Sequence, residues 1–414
     1  MLKLLKKENF EKYIYFYIFF LPIETFDIQM RILSVILLLW WFYLGKREGY
    51  FENLKNILSS KPLGLFFITL SYFYLSILWS SSIEDGLKIT ARIYKYYWLV
   101  VPILFTSISL KQAKNAFFVL TLSFISYSIF SFLIYNGILT GFGKGTSVNN
   151  PTGIYKYTVT SYYMIFGVFF SFLYYIYSKN IKYKIFYLIG VFFSIFSFIT
   201  IDGRNAKVTF VLVFFYLFIM NIKLFKNVRY FIGLIITLVV FIFLIYKSDT
   251  FNKFEVGVSE LKSFDMKENY KGSWRERLFM LNVGINVFKE NPIFGAGGND
   301  NIKYLHDYID KNNLNFKKYW NLHNLHIEYL SRYGILGYAL FLSSIFILLY
   351  YLKNTGIYFQ IALTYYGVVL LSGFGDPLIY LEPHSDLYGL VFVLFAIIAY
   401  KSEKEEKEKI ENNS

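Results

Sequence analysis

The chain has 414 residues, of which 56% are hydrophobic, 22% aromatic and 17% charged, with no cysteine and a formal net charge of +14. A water-soluble domain carries about a quarter charged residues, so this composition excludes an ordinary soluble fold. The lack of cysteine excludes disulfides, thiolate metal sites and a cysteine nucleophile. The Lys and Arg lie mainly in short loops between apolar runs, a pattern of membrane topology rather than of a nucleic-acid-binding face.

Runs long enough to span a hydrocarbon core, roughly 20 residues each, recur near 13–28, 31–46, 63–81, 93–109, 115–138, 157–178, 184–202, 205–222, 229–246, 334–352, 356–373 and 385–400. The expected fold class is all-α, a polytopic integral membrane protein of about twelve transmembrane helices. Pro22 and Glu24 interrupt the first run, which reads as a retained or half-embedded segment, because no small-residue cleavage site follows it.

Orientation follows from the basic residues. With a cytoplasmic N-terminus, the inner loops hold Lys3, Lys6, Lys7, Lys12, Lys46, Arg47, Lys55 and Lys61, then Lys111, Lys114, Lys179, Lys182, Lys184, Lys223, Lys226 and Arg229. The short outer loops are poorer in cations and hold Glu24, Asp27, Glu84, Asp85, Asp376 and Glu382. The positive-inside rule therefore places both termini inside. From Lys247 to Leu322 the chain is densely charged, has no spanning run and falls on the outer side, and a loop of that length reads as functional. The expected organisation is 1–246 for spans one to nine, 247–333 for a catalytic outer loop with short helices, 334–400 for the last three spans, and 401–414 for a solvated charged coil.

Within the outer loop, GSWRERLFMLNVGINVFKENP reads as a helix. Ser273 and Glu276 have capping-box spacing. Leu278, Leu281, Ile285 and Phe288 fall on one face, and Pro292 marks the end. Arg275 and Arg277 then lie in the first turn, where the helix dipole already disfavours cations, so two arginines and free backbone N–H groups make an anion site. The plainer reading is surface arginines paired with Glu276 or Glu268. Arg204 and Lys207, in IDGRNAKVTF, lie at the outer edge between two spans, where a snorkelling arginine is the ordinary case. GFGKGTSVNNPTG (141–153) is a flexible outer loop whose Lys144 is a weak ligand candidate. GAGGN (295–299) follows no strand, so it reads as a turn rather than a dinucleotide fingerprint.

HNLHIEYLSRYG (323–334) closes the loop, and it holds two of the four histidines. His323 and His326 share a flank of a helix. No H-E-x-x-H spacing, cysteine or well-placed carboxylate supports a metal site. Each imidazole is either an interfacial group hydrogen-bonded to a carbonyl or a general base. At its ordinary pKa of about 6.5 an imidazole is mostly neutral at pH 7.

An arginine, a short helix, NPIFGAGG and then HNLHIEYLSRYGILG together resemble the O-antigen ligase and polymerase family. The family's H-N-x-aromatic-L stretch reaches a glycine at the spacing of His323 to Gly334, with His326 at the aromatic position and Ile327 in place of Leu. Its SR-G stretch is similar to Gly203-Arg204-Asn205, with Gly203 in place of Ser. The family's loop arginine corresponds to Arg277, with Arg275 the neighbouring choice. The resemblance covers roughly 200–340, and the twelve-span layout with one large outer loop extends it.

The resemblance implies a metal-independent glycosyltransferase, with no cofactor, at the outer face of the bacterial inner membrane. The donor would be a glycan on undecaprenyl diphosphate, and the acceptor a hydroxyl of lipid A-core in a ligase or of another lipid-linked repeat in a polymerase. Arg204 and Arg277 would hold the diphosphate and His323 would take the acceptor proton. Arg275, Asn324, His326 and Lys207 would bind substrate around them. Membrane lipids are the expected partners, and nucleic acid is not. A non-catalytic transporter of lipid-linked glycans would carry charges near span centres, whereas here the ionisable groups collect at outer ends. A scaffold would leave the arginines and His323 without a task.

Overall fold

The computed structural model describes residues 6–23, 27–143, 145–221 and 250–413. The run at 229–246, Glu24 and Lys144 lie outside the described residues. The longer helices are α1 Lys7–Phe20, α2 Asp27–Gly45, α3 Lys61–Leu75, α4 Ile83–Tyr94, α5 Tyr97–Ser107, α6 Leu110–Tyr135, α7 Tyr157–Tyr177, α8 Ile181–Thr200 and α9 Arg204–Met220. They continue with α10 Thr250–Lys262, α11 Ser273–Glu290, α12 Asp300–Lys311, α13 Leu325–Leu352, α14 Ile357–Ser372 and α15 Glu382–Asn413. Among the described residues there is no strand, only an isolated bridge between Ser147 and Asn150. The fold is all-α.

Six helices are long and apolar enough to cross a membrane: Lys61–Trp79, Leu110–Tyr135, Tyr157–Tyr177, Ile181–Thr200, Leu325–Leu352 and Pro383–Glu405. Gln29–Gly45 and Ile357–Ser372 are shorter apolar helices. The run expected at 93–109 is broken. Its first residues end the amphipathic α4, and α5 has only 11 residues with Pro102 inside. At about 1.5 Å per residue α5 reaches roughly half of a 30 Å core. At the other end of the chain, α15 carries the helix through KSEKEEKEK to Asn413, where a coil was expected. Glu and Lys are strong helix formers, and here they extend a helix already nucleated by its apolar half.

The apolar half of α15 is hydrophobic all round, and Leu390 to Ala399 are all buried. Such a helix belongs in a core, and α15 packs against α5, α6 and α13. α7 is equally central, whereas α8, of similar hydropathy, is mostly exposed on the outside of the bundle.

Several contacts tie the segment before α13 to this bundle. Asp300 accepts hydrogen bonds from Ser80 Oγ (3.0 Å), Ser81 Oγ (2.9 Å) and the Ser81 N–H (2.7 Å) in the turn between α3 and α4. Arg92 lies 5.0 Å over the ring of Trp320. Another tie is backbone to backbone. α13 breaks at Gly334 (φ 66, ψ −174), and 292–297 docks along the break. Ala296 and Gly297 donate to Ser331 O and Arg332 O, and Ile335 and Leu336 donate to Pro292 O and Ile293 O. A Cβ on Gly334 would lie 2.2 Å from Ile293 O, and one on Gly295 2.4 Å from the Arg332 carbonyl carbon. The glycines of GAGGN therefore do more than turn the chain: they let two backbones touch.

Below the break, Arg332 and Glu328 form a fully buried pair 2.6 Å apart. Asn301 donates to Glu328 at 3.0 Å, and the Leu322 N–H donates to its other oxygen at 2.7 Å. Those extra bonds matter, because a buried charge needs several partners to offset its lost hydration.

Candidate active site

Four helix N-termini converge on one cavity of about 310 Å3. Tyr157 and Thr158 open α7, Arg204 and Asn205 open α9, Ser273 and Trp274 open α11, and Asn324 caps α13; all of them line the cavity. Each N-terminus contributes a positive partial charge, so the cavity is electrostatically suited to an anion before any side chain is counted. Arg204 and Arg277 add two full charges on its wall, and His323 and Asp376 line it with them. Leu261, Leu278 and Leu281 supply an apolar flank.

The start of α11 differs from the expected capping box. Its N-cap is Gly272, and no side chain caps it. The Trp274 N–H instead donates to Glu260 of α10 at 2.7 Å. Ser273 Oγ accepts from Arg277 at 2.9 Å, and Glu276 accepts from the Tyr319 hydroxyl at 2.5 Å. Both box residues have stronger, charge-assisted partners elsewhere. The buried face is also displaced, comprising Phe279, Met280, Val283, Gly284 and Val287. Leu278 and Leu281, two members of the apolar face read from the sequence, line the cavity.

Arg277 is held from three sides. Its Nε donates to Gly375 O at 3.1 Å, one terminal nitrogen to Ser273, and the other lies 3.5 Å from Asp376 Oδ1. Asp376 also accepts from Asn205 (3.0 Å) and from the Tyr162 hydroxyl (3.2 Å). Burial pushes the Asp376 carboxyl above the usual carboxylate range, opposed by Arg277 and by the Asn205 and Tyr162 hydrogen bonds. Sequence reasoning noted Asp376 only as an outer acid and gave Asn205 and Tyr162 no part. The SGFGD turn that delivers Asp376 lies some 50 residues beyond the HNLH stretch, so spacing offers no clue to their meeting.

His323 sits in left-handed backbone (φ 51), a conformation that costs a non-glycine residue about 1 kcal/mol or more. The turn lets Asn324 cap α13, its Oδ1 accepting from the Ile327 N–H at 3.1 Å, while its Nδ2 donates to Phe374 O at 3.3 Å. The Leu325 N–H donates to Gly373 O at 2.7 Å, so the same stretch is sewn to the turn that carries Asp376. His323 Nδ1 is buried without a hydrogen-bond partner. Burial, and then the charges of Arg277 and Lys317, lower the imidazole pKa to about 4. That lies below the ordinary imidazole value of about 6.5 used in reading the sequence.

The other predicted residues lie elsewhere. Arg275 turns to α10, donating to Glu260 O (3.1 Å), Lys271 O (3.1 Å) and Ser263 Oγ (2.6 Å), and it does not line the cavity. His326 bridges Tyr338 Oη (2.7 Å) and Leu370 O (3.0 Å) and packs on the Phe374 ring at 4.4 Å, joining α13 to α14. Lys207 is buried in α9 and does not line the cavity. The 141–153 loop is pinned rather than loose: Tyr127 Oη donates to Thr152 O at 2.9 Å, and Asn150 accepts from the Asp202 N–H at 3.1 Å. Among the described residues no three His, Cys, Asp or Glu side chains form a metal-ligating group.

Such a cavity can hold a polyanion against two guanidinium groups and present a neutral imidazole to a neighbouring hydroxyl. Residues 189–342, which include Arg204, Arg277 and His323, match the model of a protein family described as O-Antigen ligase. No curated protein matches the chain.

Proposed function

We propose that the chain, whose residues 189–342 match the model of a family described as O-Antigen ligase, is a membrane enzyme that transfers a glycan from undecaprenyl diphosphate to a hydroxyl of lipid A-core. The observation that carries this reading is the meeting of Arg204, Arg277 and His323 at four helix N-termini. A diphosphate leaving group needs positive charge where its own charge develops, and preorganised donors supply that most effectively. Here two guanidinium groups and the helix ends supply it without a metal ion. Arg277 is already oriented by Ser273, Gly375 and Asp376.

In the proposed step His323 accepts the proton of the acceptor hydroxyl, and that oxygen bonds to the anomeric carbon. The bond from the anomeric carbon to phosphate breaks, and the electron pair leaves on the diphosphate beside Arg204 and Arg277. Leu261, Leu278 and Leu281 line the flank where the isoprenoid chain would depart toward the bilayer. The cavity faces the periplasm of the bacterial inner membrane in this reading.

The test is a defined assay with purified enzyme, lipid-linked donor, and either lipid A-core or a second lipid-linked repeat as acceptor. Transfer to lipid A-core is expected, undiminished by chelators and abolished in Arg204→Ala, Arg277→Ala and His323→Ala. Extension of the lipid-linked repeat alone would assign a polymerase, and chelator-sensitive transfer would remove the metal-independent step.

A further inference from the structure

We infer that Tyr319 is a positioning residue that couples the imidazole of His323 to the helix carrying Arg277; this rests on the proposed reading of His323 as the base. The ring of Tyr319 meets the His323 ring edge to face, with centroids 5.0 Å apart and planes at 89°. Its hydroxyl donates to Glu276, the residue before Arg277, at 2.5 Å. Its carbonyl is held by His306 Nε2 of α12 at 2.8 Å. The phenol is therefore fixed at the backbone and at the hydroxyl, and the imidazole rests on the ring between them.

His323 needs such a support because little else holds its ring. The His323 N–H is bonded to Asn321 Oδ1 at 2.9 Å, but that bond fixes the backbone only. Nδ1 makes no hydrogen bond to orient the ring, whereas the base of a catalytic pair is ordinarily aligned by a third group. Edge-to-face contact with a clamped phenol favours one orientation of the imidazole plane.

The charged and titratable groups around the imidazole are Arg204, Arg277 and Asp376 across the cavity, and Lys317, Tyr319 and Glu276 on the loop side. Lys317 lies 5.0 Å over the same phenol ring, so the clamp also sets how close that cation comes. Burial, and then the hydrogen bond to Glu276, push the Tyr319 phenol up to about 12, so it stays protonated as a donor.

The test uses the full-length purified enzyme in the defined donor–acceptor assay, with thermal melts to confirm folding. Tyr319→Phe keeps the ring and its packing but frees it from Glu276. Its kcat should fall about tenfold, as small misplacements of a reacting group do, with KM changed less than about twofold. Glu276→Ala should fall equally, the double variant should be no worse than either single one, and Glu276→Gln, which still accepts a hydrogen bond, should recover most of the loss. The acid limb of kcat/KM should move to higher pH in Tyr319→Phe, because water reaching the imidazole favours its protonated form. Wild-type kcat and an unmoved acid limb in Tyr319→Phe, with His323→Ala inactive, would overturn the coupling alone. Additive losses in the double variant would overturn it too. A fully active His323→Ala would remove the base itself, and the coupling with it.

Discussion

The imidazole of His323 sits near Arg277 and Lys317, and burial together with their charges lowers its pKa to about 4. A base that weak drives proton abstraction poorly, but the same positive field receives the donor's diphosphate in the proposed reaction. Negative charge beside the imidazole cancels part of that field and raises the pKa. The acid limb of kcat/KM reports the free enzyme and that of kcat the complex. The kcat limb is therefore expected at higher pH than the kcat/KM limb, which should fall near pH 4. At pH 5.5 an ordinary imidazole would be about nine-tenths protonated, yet kcat/KM should there be close to its plateau. A kcat/KM limb at pH 6.5 would refute the depressed value. Lys317→Ala removes a cation from outside the cavity lining. It should raise the His323 pKa and shift the kcat/KM limb upward by a few tenths of a unit, since exposed charges are screened. Arg277→Lys is expected to recover only part of the activity lost in Arg277→Ala. A single ammonium cannot reach Gly375 O, Ser273 and Asp376 together as the guanidinium does, nor bind phosphate with a planar fork.

At the level of elements, the close approach of 292–297 to the broken helix α13 makes a specific demand. A methyl group on Gly295 would meet the Arg332 carbonyl carbon at 2.4 Å, at a residue whose φ is 74. Gly295→Ala should therefore destabilise the protein by about 1–3 kcal/mol, read as a lower melting temperature in detergent. Gly137→Ala serves as the comparison, because its φ is also positive (69) but nothing lies within 4 Å. Equal melting temperatures for the two variants would show that the backbone contact contributes nothing. The glycines of GAGGN were visible in the sequence, but their partner was not, because the contact joins 295 to 332–334 through a helix break that hydropathy smooths over. The start of α11 was read from the capping-box spacing of Ser273 and Glu276, and the helix does begin at Ser273, but the box itself does not form. Glu260 and Tyr319, which occupy the places a capping box would fill, come from other elements. Arg277 was singled out from its place in the first helical turn, His323 from the chemistry of imidazole and Arg204 through a resemblance carried by local motifs, whereas Asp376, with no such motif around it, was read only as an outer acid. Hydropathy likewise located α7 and α8 but could not tell that one is central and the other peripheral, since lipid and protein core are equally apolar.

For the whole molecule, the direction of the helices joins the cavity to the membrane. α7, α9 and α13 all begin at the cavity. α8 and α14 run the opposite way, and their first turns follow Lys179 and Lys353 at the far end. Lys111 and Lys114 lie in the first turns of α6, which likewise ends near the cavity side, where Ser131 and Tyr127 bond to Pro151 O and Thr152 O. With the lysines of these short connections at the end opposite the cavity, the positive-inside rule predicts that the cavity lies on the outer face. The predicted topology has both the N-terminus and the end of α15 inside, and the segment between α10 and α11 outside. The absence of native cysteine allows a direct test. Glu268→Cys, exposed between α10 and α11, should react with a membrane-impermeant maleimide in intact spheroplasts. Glu408→Cys, exposed near the end of α15, should react only after permeabilisation. The reverse pattern would put the arginines and His323 on the cytoplasmic side, where a periplasmic acceptor could not reach them.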